Sequence, residues 1–237
     1  MRFHVVVDDL LSERGFSLQL LPGHGLSILI EKDNLKLLFD TGSSEKLLLY
    51  NMRRMGFDIN EIDYLFISSW KKCHAGAVNE VFRLNPRIKA FAPPVTSSIT
   101  LVKPKDISRI IFIKSTEPRE ILPGVYTTGI YCKKWYCEHA LFLKATENIL
   151  AVFLGCSTYG FSHFIKRTEK TAKKYIIGGL HLSKLDFIGF KLLKQLVAEE
   201  NVEGVLPLHC TAPDARKEII KWKGILQDTG VGIEFAL

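Results

Sequence analysis

The amino-acid sequence predicts a mixed α/β fold, α+β in some schemes, made of two similar halves that each run from strands to helices. Three observations carry this. Short apolar runs alternate with amphipathic ones along all 237 residues. No linker or low-complexity stretch divides the chain. The first half is strand-rich with two helices, and the second half repeats that style, which suggests two sheets packed face to face with helices outside. One domain over 1–237, with halves of about 1–115 and 116–237, is the expected organisation.

Strand-like runs occupy residues 2–7, 26–31, 35–39, 64–67, 110–113 and 124–128. More follow at 140–145, 149–154, 175–177, 204–207 and 231–235. Helix-like runs occupy 44–55, 75–84, 161–173, 185–199 and 212–223, with apolar spacing such as Leu192, Leu196 and Val197. Asp186 and Asp214 stand near helix starts, and Gly56 is placed to close a helix end. The middle, 93–123, is rich in Pro, Ser, Thr and Lys and reads as irregular connection.

Composition narrows the class. Apolar residues make up 47% of the chain, enough for a core, which excludes a disordered protein. The longest apolar candidate, 149–154, has strand length and falls far short of the ~18–20 residues of a membrane helix. The start, Met1 to Asp9, lacks the apolar region and cleavage site of a signal peptide, so a cytoplasmic protein with no membrane partner is expected. The net charge is +7, and its short basic pieces form no aromatic-interleaved stripe. Nucleic acid is therefore not the expected partner, whereas a small anionic metabolite suits the positive field. The five cysteines are an odd count. Cys132 and Cys137 stand across a tight hairpin where a local disulfide is open to them, but two thiols are the expected state in a reducing cytosol.

Chemistry concentrates where strands end. Leu38-Phe39-Asp40-Thr41-Gly42 delivers an acid at a glycine turn. Asp40 there either caps the helix beginning near Ser44 or serves a site. Ser68-Ser69-Trp70-Lys71-Lys72-Cys73-His74 follows the fourth strand-like run. Gly155-Cys156-Ser157, Gly178-Gly179-Leu180-His181 and Leu208-His209-Cys210-Thr211 follow three later ones. One strand-end histidine is usually structural, but three beside cysteines suit zinc or iron if the strands are neighbours.

The order of these motifs resembles the metallo-β-lactamase superfamily, and within it the dihydropterin-methyl-ribofuranosylaminobenzene phosphate synthase-like branch. The branch's elements are matched by His24 to Ser27, Leu38 to Gly42, Asn51-Met52, Thr128-Gly129 and Glu138 to Leu141. They continue at Gly155 to Ser157, Gly178 to Leu182 and His209 to Thr211. The resemblance implies a four-layer αββα sandwich with a metal site at the edge of two sheets. It also implies a hydrolase or transferase acting on a phosphorylated or pterin-like molecule.

The departures are as informative. Where the family has Ser-His-X-His-X-Asp-His, this chain has Ser69, Lys71 and Cys73 in place of two His and the Asp, and only His74 remains. Thr158 replaces the histidine after Gly-Cys-Ser. An ammonium at Lys71 beside a dication would be repelled by ~8 kcal/mol at about 4 Å with an effective dielectric near 20. At most one ion, Zn, Fe or Mn, is therefore expected, held among His74, His209, Cys73, Cys156 and His181. The alternative is a metal-free homologue that binds an anion through Lys71. Candidate catalytic residues are Lys71, His74 and Asp40, with Asp40 orienting a histidine. Candidate substrate contacts are Lys71, Trp70, Ser157 and Cys210, with Trp70 either a ring platform or filler of volume. Trp135 is either an exposed loop residue or a lid contact, and the oligomeric state is left open.

Overall fold

The computed structural model describes residues 1–95, 101–133, 136–183 and 185–237, so Trp135 and part of the 93–123 connection lie outside the described residues. In chain order the first elements are β1 (Arg2–Val7), α1 (Glu13–Ser17), β2 (Ser27–Lys32), β3 (Leu35–Phe39), α2 (Glu45–Arg54) and β4 (Tyr64–Phe66). Next come α3 (Lys72–Ala75), α4 (Val78–Leu84), β5 (Lys89–Ala92), β6 (Ile110–Phe112), β7 (Arg119–Leu122) and β8 (Val125–Thr127). The hairpin β9 (Tyr131–Lys133) and β10 (Tyr136–Glu138) precedes β11 (Leu141–Thr146), β12 (Ile149–Leu154), α5 (Phe161–Ile165) and β13 (Lys173–Gly178). The chain ends with α6 (Phe187–Glu199), β14 (Val202–Pro207), α7 (Pro213–Lys223) and β15 (Glu234–Ala236).

The chain divides into two compact units. The first comprises 1–114, 132–137 and 230–237, and the second 115–131 and 138–229. Among the described residues, the first unit's sheet has the order β15-β1-β2-β3-β4-β5-β6. It is antiparallel from β15 to β3 and parallel from β3 to β6. The second unit's sheet, β14-β13-β12-β11-β8-β7, repeats the plan, with β12, β13 and β14 parallel and the rest antiparallel.

β1 and β12 are buried from their second residue to their last. That is why β12 reads as an unbroken apolar run rather than an alternating one, and why β1 is apolar after Arg2 except at His4. The first core gathers Val6, Leu38, Leu65, Ile67 and Val81 around α2 and α4, and the second gathers Leu150, Val152, Ile176, Leu196 and Ile219 around α5, α6 and α7. Each such side chain contributes roughly 1.5–3 kcal/mol by leaving water. Ser44 caps α2 through its Oγ, and Gly56 follows the α2 C-cap with φ 82°. Asp186 caps α6 by accepting from Gly189 N–H at 2.8 Å.

Several expectations need correction. The helix expected over 75–84 is two helices. Gly76 N–H donates to Gly42 O and Ala77 N–H to Thr41 Oγ1, so tertiary bonds take donors a continuous helix would need. The helix expected over 161–173 stops at Ile165, where Thr168 Oγ1 donates to Ile165 O before the chain enters β13. Gly230 and Gly232, with φ 117° and 91°, hold the start of the expected 231–235 strand in a turn, leaving β15 at 234–236. β5, β7 and α1 fall outside the expected elements. β5 is Lys-Ala-Phe-Ala, of modest strand propensity, and exists because β4 and β6 flank it. Cys132 and Cys137 form a disulfide rather than the expected pair of thiols. The expectation rested on compartment alone, whereas the β9–β10 hairpin brings the two sulfurs into bonding range. Cys73, Cys156 and Cys210 remain outside it. Among the described residues no helix is long and apolar enough to cross a membrane.

Candidate functional site

In the first unit the chemistry converges on Asp40. β3 ends at Phe39, and Asp40 turns with φ 59°, a left-handed conformation that costs a non-glycine residue of order 1–3 kcal/mol. The turn aims its carboxylate at the loop after β4. Ser68 donates to it twice, N–H to Oδ1 and Oγ to Oδ2, both at 2.7 Å. His74 Nδ1 lies 2.7 Å from Oδ2. Asp40 and His74 are both 0% exposed. Asp40 therefore does not cap α2, which is Ser44's role. An ionised carboxylate at Oδ2 keeps the imidazole proton on Nδ1, so Nε2 carries the lone pair that a metal or an incoming proton needs.

Around this knot the substituted positions take different environments. Ser69 is buried, and among the described residues its Oγ has no hydrogen-bond partner. Lys71 is half-buried, and its Nζ stands 4.6 Å from the Tyr136 ring centroid. Trp70 is 1% exposed and donates its indole N–H to Pro93 O at 2.7 Å. With no face in solvent it fills the first core, and the platform expectation for Trp70 is withdrawn. Cys73 opens onto a cavity of about 710 Å³ whose wall also carries His24, Lys46, Lys72 and Glu45.

In the second unit three neighbouring parallel strands deliver the motifs. The loop after β12 carries Cys156 and Ser157, the loop after β13 carries His181, and the loop after β14 carries His209 and Cys210. Ser157, His181 and His209 have φ of 52°, 53° and 44°, so each loop holds a strained non-glycine residue. A Cβ on Gly179 would lie 2.2 Å from Gly155 O and 2.6 Å from Cys210 Sγ, so only glycine lets these loops close up. Cys156 Sγ lies 3.5 Å from His181 Nδ1, and Cys210 Sγ donates to Cys156 O at 3.1 Å. The three ligand atoms lie within 4.8 Å of one another. Cys156 is buried, Cys210 half-buried and His181 exposed. Thr158 is exposed, and Ser157 Oγ is buried with no hydrogen-bond partner among the described residues.

Two braces escaped the sequence reading. Arg216, 1% exposed on α7, donates to His209 O and Thr211 O at 2.8 Å each and fixes the last loop. Its one signal is its place between the buried Ala215 and Ile219 on α7. Ser68 stands within its strand-end motif, but nothing in a lone serine marks it as a double donor.

Solved structures share this arrangement of elements. A metal-dependent hydrolase of the β-lactamase superfamily, Tm1679, superposes with a TM-score of 0.75 at 23% identity over 100% of this chain and 99% of its own. The protein has the metallo-β-lactamase fold. Bacillus subtilis YhfI matches with a TM-score of 0.65 at 13% identity over 99% and 98% of the two chains. Human tRNase Z, short form, matches with 0.57 at 10% identity over 100% and 99%. By sequence, the chain is 25% identical to the 7,8-dihydropterin-6-methyl-4-(β-D-ribofuranosyl)-aminobenzene-5'-phosphate synthase of Methanocaldococcus jannaschii, over 79% of this chain and 81% of that protein. No protein-family model matches the chain. The resemblance to the superfamily and to its pterin-related branch is thereby borne out.

The donor sets can be weighed against a metal ion on their chemistry. Within the first unit, Ser69 and Lys71 in the loop after β4 offer neither imidazole nor carboxylate, which does not suit a two-metal centre. Within the second, two thiols and an imidazole already gathered at one sheet edge fit a single ion.

Proposed function

We infer that this protein is a hydrolase or transferase relative that acts on a phosphorylated, pterin-like small molecule and keeps at most one metal ion, zinc, iron or manganese. The observation that carries the reading is the 25% identity to the Methanocaldococcus jannaschii synthase across four-fifths of both chains. The cavity beside Cys73, with Lys46 and Lys72 on its wall, supports an anionic ligand. The buried Asp40–His74 pair supports a role for His74 as a histidine held in one tautomer, with Asp40 positioning it. When bound, a metal ion would supply Lewis-acid polarisation of a substrate oxygen. The cytoplasm is the compartment of this reading, and its partner is a small anionic metabolite rather than nucleic acid or membrane.

A second reading is favoured by Lys71. Its half-buried ammonium, at a position where the family carries a metal ligand, suits a metal-free homologue that holds an anion by charge. One experiment separates the two. The purified protein is titrated with a reduced pterin phosphate ester and with inorganic phosphate, with and without added zinc, while product is followed by chromatography. Zinc-dependent turnover supports the enzyme. Binding without turnover, abolished in Lys71→Ala, supports the metal-free homologue. No binding and no turnover under any condition contradicts both.

A further inference from the structure

The three donors at the ends of β12, β13 and β14 belong to one unit and to one edge of one sheet. We propose that Cys156, His181 and Cys210 form a thiolate–imidazole site for one zinc ion, with a fourth position open to solvent. The geometry is already close. Sulfur at about 2.3 Å and nitrogen at about 2.0–2.1 Å on a tetrahedral zinc stand roughly 3.6 Å apart. Cys156 Sγ and His181 Nδ1 stand 3.5 Å apart. Cys210 Sγ needs only to exchange its hydrogen bond to Cys156 O for the ion. The soft donors select zinc over magnesium or calcium. The exposed ring of His181 and the half-buried Cys210 leave an entry path and a place for water or a substrate oxygen.

The binding step balances without a redox partner. Two S–H bonds ionise, two protons pass to solvent, and two zinc–sulfur bonds and one zinc–nitrogen bond replace zinc–water bonds of the hydrated ion, whose waters return to solvent. His181 binds through Nδ1 with its proton on Nε2. Gly179 is part of the site by omission, since a Cβ there would press on Cys210 Sγ. The site names where the ion of the functional reading is held, and so rests on that reading only for its use. Zinc bound here with no pterin turnover would sink the substrate class and leave the site standing.

The test uses the full chain, kept reduced with a phosphine and stripped of metal by a chelator, then titrated with Co²⁺ as a spectroscopic stand-in for zinc. One ion per chain and a near-ultraviolet sulfur-to-cobalt charge-transfer band are expected. His181→Ala, an exposed position that leaves the core untouched, weakens binding by more than the roughly 10–100-fold typical of an outer-shell partner. Cys156→Ser and Cys210→Ser each diminish the band, with circular dichroism reporting the fold. If either cysteine variant unfolds, His181→Ala decides. An absent band, or one that survives all three substitutions, overturns the proposal. So does a band lost in Cys73→Ser alone, which would put the ion on the first unit.

Discussion

The two units present the same sheet plan and opposite kinds of strand end. In the first, the loops after β3 and β4 tie Asp40, Ser68 and His74 into a knot with Asp40 and His74 wholly buried. In the second, the loops after β12, β13 and β14 bring together soft donors that reach the surface at His181. Topology therefore supplies positions, whereas donor type and exposure decide what a position can do. A sealed carboxylate with three hydrogen bonds rigidifies its loop. A cluster of thiols and an imidazole with an exposed side has the donor chemistry to take a soft metal ion.

The sharpest way to break that contrast is Asp40→Ala. It strips the acceptor from three buried hydrogen bonds and should cost about 4 kcal/mol in urea unfolding. A loss under 1 kcal/mol would mean that the knot does not hold the first unit. Asp40→Asn, which keeps an acceptor oxygen, should lose less.

Lys174 gives the second unit its own buried charge. It is 0% exposed, its Nζ donates to Glu200 O at 2.7 Å, and the Glu200 carboxylate lies 3.7 Å away. Lys174→Met leaves Glu200 buried without its cation, so about 3 kcal/mol of stability should disappear in the same assay. Burial also holds the ammonium below its ordinary value of 10.5, with Glu200 opposing the shift. The unfolded chain then binds more protons than the folded one between the lowered value and 10.5. This group's contribution to stability rises with pH across that window, and Lys174→Met should abolish the rise.

The next effect is smaller and local. Arg216→Ala removes two charge-assisted bonds to the carbonyls of His209 and Thr211. About 2 kcal/mol is expected, with proteolysis of the loop after β14 appearing before global unfolding. If the loop stays protected, its strained backbone is held by something other than this brace. The smallest effect belongs to Lys71→Ala. Loss of its contact with Tyr136 should cost no more than about 1 kcal/mol, read as a shift in melting temperature. A greater loss would make Lys71 structural.

β12 was legible because a buried strand writes a continuous apolar run, and β1 and β3 because theirs are interrupted only at His4 and Lys36 once past Arg2; the bounds of all three agree with the expected ones. The short β5 was not, because neighbours rather than propensity create it. The break between α3 and α4 was invisible for a related reason, since the bonds that cause it run to Thr41 and Gly42 more than thirty residues earlier. At the site, cysteine and histidine announce themselves by chemistry, and strand-end motifs named Cys156, His181 and Cys210. What sequence could not supply was their grouping. The sequence offers each donor singly, because strand adjacency and side-chain direction are tertiary facts. The resemblance carried the fold, and the same resemblance could not say that Trp70 faces inward.

The most direct measurement is X-ray absorption at the zinc edge of the reduced, zinc-loaded protein. The account predicts a mixed first shell, with two sulfurs at about 2.3 Å and lighter atoms at about 2.0–2.1 Å, and loss of one sulfur in Cys210→Ser. A shell of nitrogen and oxygen alone, unchanged by that substitution, would contradict it.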